Sequence, residues 1–188
     1  QPPFRAAFIG PTGCGKSTLV AHLVAEHYGE WYASTGGGVH YYSKTLSTDE
    51  IARDPKIAPF LVKKHAKCDE GELRTLIDEQ KNKVKERGKD RAPHVLVILS
   101  DFASEEERMR SPIMKELFMS GRHYNISILI DTQKLNALPP AVRNNCQLFF
   151  AFECAGYEEE LYERNLRVRN MPVSAFRDVV QFALAPTE

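Results

Sequence analysis

Gly10-Pro11-Thr12-Gly13-Cys14-Gly15-Lys16-Ser17 completes the spacing G-x-x-x-x-G-K-[ST], and this constrains the fold of the chain more than any other feature. Such a loop works only where a strand delivers it and a helix leaves it, because its amides must converge on one point and the helix dipole must add to them. The flanks predict both. Residues 4–9 form a short apolar run, and from Lys16 to about His27 the residues Leu19, Val20, Leu23 and Val24 recur at helical spacing. The pattern points to a polyphosphate. Gly10, Pro11, Thr12, Gly13, Cys14 and Gly15 would wrap it, and Lys16 would reach the terminal phosphates. The Ser17 hydroxyl would take a place on Mg²⁺, with Thr18 next in the first helical turn. The expected ligand is a nucleoside triphosphate with Mg²⁺.

The remaining elements predict an α/β layered fold with a mostly parallel sheet between helices. Residues 39–43 read as a strand after the Gly36-Gly37-Gly38 break. Residues 45–90 read as a polar, helical insertion, with Asp69 as an N-cap and a narrow stripe of Leu73, Leu76, Ile77 and Val84. Val95 to Leu99 is a continuous apolar run of the kind covered on both faces. It ends in Ser100-Asp101, and Asp101 is the strand-end acid expected to hold Mg²⁺ through water. A helix is expected over 104–120, capped by Ser104, with Glu105, Glu106 and Glu107 in its positively polarised first turn. Strands are expected at 126–130 and 148–152, an acidic helix at 157–166, and a last strand at 179–184.

Gly121-Arg122-His123 leads into the apolar strand 126–130 and then Asp131-Thr132-Gln133; Leu138-Pro139-Pro140-Ala141-Val142-Arg143-Asn144-Asn145 follows. With the phosphate loop and the acidic strand, these residues resemble the FtsK–HerA superfamily of DNA translocases, and within it the genome-packaging ATPases of large DNA viruses. The likeness covers roughly residues 4–153. It implies a single RecA-like P-loop ATPase domain, with residues beyond about 155 as a tail. The implied activity is ATP-driven packaging of double-stranded DNA into a capsid by a homo-oligomeric ring that meets a capsid or portal component. By the same resemblance Gln133 senses the γ-phosphate, and Arg143 and Arg122 are candidates for an arginine supplied across a subunit boundary. The chain departs from the superfamily at Ser100-Asp101, where two acids are usual, and this leaves the catalytic base open.

The bulk composition limits how DNA could be held. The 25 Lys+Arg balance 25 Asp+Glu, so contacts must come from local clusters such as Lys63, Lys64 and Lys67, or Lys81 to Arg91, and would be blind to sequence. The second cluster also fits a solvated helix face on which Glu79 pairs with Lys83. No apolar run reaches membrane-spanning length, and the four cysteines are scattered without metal-ligand spacing, which predicts a reducing, intracellular setting. Two other readings compete: a small-molecule kinase, and a nucleotide-gated assembly protein with little hydrolysis, which Ser100 favours.

Overall fold

The computed structural model describes residues 2–66, 69–101, 106–152, 164 and 170–184. Six strands form one sheet in the order β3-β2-β4-β5-β1-β6, and every described pairing is parallel. They are β1 (Arg5–Ile9), β2 (Gly38–Ser43), β3 (Leu61–His65), β4 (Val95–Ser100), β5 (Ile126–Thr132) and β6 (Leu148–Ala151). The helices are α1 (Lys16–Leu23), α2 (Gly29–Ser34), α3 (Glu50–Arg53), α4 (Glu70–Arg87), α5 (Glu106–Met109), α6 (Pro112–Ser120), α7 (Pro140–Arg143) and α8 (Val173–Leu184).

Continuous apolar runs become central strands because helices cover both faces and successive side chains point opposite ways. Phe8, Leu96, Ile98 and Leu129 pack on one face with Val20 of α1 and Tyr32 of α2. Ile9, Val97, Leu99, Ile128 and Ile130 pack on the other with Leu73 and Ile77 of α4 and Ile113 and Leu117 of α6. The expected Asp69 cap is present: its Oδ1 accepts from the amides of Gly71 at 2.8 Å and Glu72 at 3.1 Å. Gln80 joins the buried stripe of α4 because its Nε2 donates to Pro93 O at 2.9 Å and Tyr124 O at 3.2 Å.

Four expectations need correction. The stretch 45–90 is not helical throughout, since it contains β3, an edge strand paired with β2. Val62, Lys63 and Lys64 of β3 are exposed, and an edge strand carrying lysines has no buried alternation to reveal it. The helix expected over 104–120 is two helices, because Ser111 is extended before Pro112, and its side chain caps α6 by accepting from Met114 N at 3.4 Å. Residues 104–105, with the expected Ser104 cap, lie outside the described residues, as does the acidic helix expected at 157–166 apart from the single residue Arg164. The late strand at 179–184 is part of helix α8, whose Phe176 and Val180 pack on the core at helical spacing. The helix expected to stop near His27 continues through a π-helical turn, Val24–Tyr28, into α2.

Candidate functional site

The loop 10–15 leaves β1 at its carboxyl end and feeds α1. Gly13 and Gly15 have φ of 83° and 95°, a region that side chains with a Cβ avoid. Gly10 is required for space: a Cβ there would lie 2.7 Å from Phe152 Cβ and 2.8 Å from Cys14 Sγ. Lys16 folds over the loop, its Nζ donating to the carbonyls of Gly10 and Pro11, both at 2.7 Å. Ser17 and Thr18 are exposed in the first turn of α1. An ammonium held over the loop and an open hydroxyl at a helix start are the donor set that a polyphosphate and its Mg²⁺ require.

Parallel pairing brings the other strand tips beside this loop. Ser43 pairs with Ser100, Leu99 with Ile130, Phe8 with Asp131 and Ile9 with Thr132, so β2, β4, β5 and β1 end along one edge. Ligands of open parallel sheets bind at this edge. Here it carries a cavity of about 340 Å³ lined by Lys44, Thr45, Asp101, Asp131, Thr132, Gln133, Lys134 and Ala137. Gly10 N donates to Thr132 O at 3.1 Å and Gln133 Nε2 donates to Thr12 Oγ1 at 3.3 Å, which tie β5 to the loop. Of the expected site residues, the loop, Asp101 and Gln133 are thus brought together.

Neither arginine lines the cavity. Arg143, in α7, is half-buried; its Nη1 is 3.5 Å from Leu135 O and its Nε is buried without a hydrogen-bond partner. Arg122 sits in a 3₁₀ turn, Gly121–Tyr124, that precedes β5. At about 3.3 Å per residue, β5 separates it from its own loop by roughly 20 Å. Glu107 is exposed on α5, and Glu105 lies outside the described residues.

Asp131 is the residue that sequence reading passed over. It is 6% exposed, accepts from Ser100 Oγ at 2.8 Å and from Asp101 N at 2.8 Å, and lines the cavity. Burial pushes its pKa up to about 6 and the Asp101 charge adds to this, while the two hydrogen bonds and Lys16 oppose it. The available signal was an acid ending an apolar run, the same pattern that singled out Asp101. Beyond it, Asp49 accepts from Tyr41 Oη at 2.6 Å and Ser43 Oγ at 2.5 Å, bracing the β2 end of the row. Asp101 itself has φ 61°, so the chain turns sharply as it leaves β4.

The family model described as Poxvirus A32 protein matches residues 52–183, more than two thirds of the chain. The chain belongs to this family. Uncharacterized protein 075L of Invertebrate iridescent virus 6 is 25% identical over 168 residues, 87% of this chain, and the chain spans 57% of that relative's length. Among solved structures, the genome packaging NTPase B204 of Sulfolobus turreted icosahedral virus 2 in complex with AMPPCP aligns with a TM-score of 0.65 at 14% identity, over 96% of this chain and 88% of that one. EssC (ATPases 2 and 3) from Geobacillus thermodenitrificans aligns with a TM-score of 0.64 at 13% identity, over 90% of this chain and 36% of that one. At such identities the two structures speak to the fold, that of P-loop ATPases.

Proposed function

We propose that this chain is the ATPase core of a motor that packages double-stranded viral DNA into a capsid, working as a homo-oligomeric ring inside the infected cell. The observation that carries the reading is the single row formed by the P-loop, Asp101 and Gln133 at the carboxyl edge of an all-parallel sheet, in a chain of the poxvirus A32 family. ATP hydrolysis here is an in-line attack of water on the γ-phosphate. The loop amides and Lys16 hold the negative charge that develops, and preorganised donors of this kind are the largest source of rate in such sites. Lys16 exchanges its bonds to Gly10 O and Pro11 O for bonds to phosphate oxygens.

Ser17 and Asp101 would hold Mg²⁺, the hydroxyl directly and the carboxylate through water. The ion supplies charge neutralisation on the phosphates. Among the described residues no group of three or more His, Cys, Asp or Glu forms a metal cage, which accords with an ion held largely by phosphate oxygens and water. Gln133, tethered to Thr12, orients the attacking water and registers loss of the γ-phosphate. Arg122, on the far edge from its own loop, could act only on the nucleotide of a neighbouring copy, whereas Arg143 of α7 is half-buried with its Nη1 3.5 Å from Leu135 O. Lys63, exposed on the edge strand, gives each copy in a ring a positive charge for the DNA backbone, while its neighbour Lys64 points to the opposite face and donates to Ala52 O at 2.6 Å. Lys81 and Lys83 are committed to Glu116 at 2.5 Å and Glu79 at 3.8 Å and contribute less. Among the described residues no helix is long and apolar enough to cross a membrane.

The test is phosphate release by the purified chain with ATP and Mg²⁺, with and without double-stranded DNA. DNA-stimulated release supports the motor. Phosphate transfer to a small molecule, or binding without release under both conditions, would replace it with a kinase or a nucleotide-gated assembly protein.

A further inference from the structure

The cavity beside the P-loop has two carboxylates from adjacent strands, and the more buried of them is the less easily explained. Asp131 is 6% exposed, and both of its hydrogen-bonding partners are uncharged: the Ser100 hydroxyl and the Asp101 amide. A carboxylate offers about four acceptor positions, so these two bonds leave each oxygen able to accept again. Keeping a carboxylate this buried without a hydrogen-bonded cation is costly, and groups of this kind cluster at ligand sites.

Its place in the sheet indicates which ligand. Residues 127, 129 and 131 alternate with the apolar face of β5 that meets α4 and α6, so Asp131 lies on the face covered by α1. That helix starts with Lys16 and Ser17. β5 is paired directly with the P-loop strand, Asp131 opposite Phe8, whereas β4 lies one strand further away. Ser100, the β4 tip on this same face, has a hydroxyl in place of an acid and gives it to Asp131.

We propose that Asp131 is the carboxylate that holds the water shell of the nucleotide-bound Mg²⁺ on the α1 face, so that the acid absent from position 100 is supplied from the neighbouring strand. The inference rests on the nucleotide-binding reading above. Water bridges from Asp131 would join those from Asp101, while Ser100 and the Asp101 amide fix the carboxylate's orientation. Groups that support a metal from outside its direct ligands contribute about 10–100-fold to affinity.

The experiment is equilibrium binding of a fluorescent, non-hydrolysable ATP analogue, titrated with Mg²⁺ and repeated in EDTA. Asp131→Asn keeps the shape of the side chain and removes its charge. The expected result is a Mg²⁺ requirement raised by about 10–100-fold with metal-free binding unchanged. The swap Ser100→Asp with Asp131→Ser returns the carboxylate to β4 and should recover most of the Mg²⁺ dependence. An unchanged Mg²⁺ requirement in a folded Asp131→Asn protein overturns the proposal while leaving the nucleotide site intact. If Asp131→Asn does not fold, a swap variant that folds and has lost Mg²⁺ dependence overturns it. Failure of the wild-type chain to bind the analogue at all removes the nucleotide reading itself.

Discussion

Replacing His40 by leucine should remove an acid-sensitive contribution to stability from the β2–β3 side of the sheet. His40 is 7% exposed, its ring is stacked 6.4 Å from that of His65, and its Nδ1 is buried without a hydrogen-bond partner. His65 and Lys63 face it from β3, and Glu72, Glu79 and Lys83 from α4. Burial first, then the nearby charges of His65, Lys63 and Lys83, hold its pKa down to about 4 from an ordinary 6.5. As pH falls, the unfolded chain takes up this proton near 6.5 and the native protein only near 4. The stabilisation is therefore complete above pH 6.5 and is lost as pH falls through about 4. At roughly 1.4 kcal/mol per pH unit across that window, the loss sums to about 3 kcal/mol. Urea unfolding of wild type and His40→Leu, each at about pH 7.5 and about pH 4, isolates it, because titrating groups away from His40 enter both proteins alike. Wild type should lose about 3 kcal/mol more than the variant. An equal loss in the two proteins would refute the reasoning.

Lys16→Ala should abolish turnover, by at least about 10²-fold, with an unchanged unfolding transition, since its ammonium bonds only Gly10 O, Pro11 O and Cys14 Sγ of the loop; normal turnover by phosphate release would remove the site. Gln133→Ala should leave affinity for Mg·ATP unaltered and lower DNA-stimulated turnover by about 10²-fold, the signature of a contact made only in the transition state; a matching loss of affinity would assign it to binding. Gly37→Ala places a Cβ 1.8 Å from His94 O, a backbone atom, and should cost about 3 kcal/mol or more in a thermal melt; a Tm within a degree or two of wild type would contradict the packing. Assembly and DNA binding in the presence of an ATP analogue should both be observed by light scattering, with binding that weakens steeply as salt rises; a monomer with salt-independent binding counts against the ring.

Much of the site was legible because it is local. A P-loop is eight consecutive residues whose glycines, lysine and serine act through the backbone that carries them. Asp101 was legible because a strand of buried side chains has a defined tip, and Gln133 through the resemblance carried by the stretch around it. The misreadings share one cause: short apolar or charged stretches have no decisive period. Val62-Lys63-Lys64 could pair as an edge strand only once β2 was beside it. Residues 179–184 fit either strand or helix until Phe176 and Val180 met the core one helical turn apart.

Sequence alone therefore determined the chemistry of the loop, the alternation of strands and helices, and the family likeness on which the motor reading draws. Only the tertiary structure decided that β5 lies between the P-loop strand and β4, which puts Asp131 against Ser100, 31 residues away, and Arg122 at the opposite edge from its own loop. The reason is physical: strand order is set by which long-range pairing buries the most apolar surface on both faces, a property of the whole packed sheet that no single stretch of the chain contains.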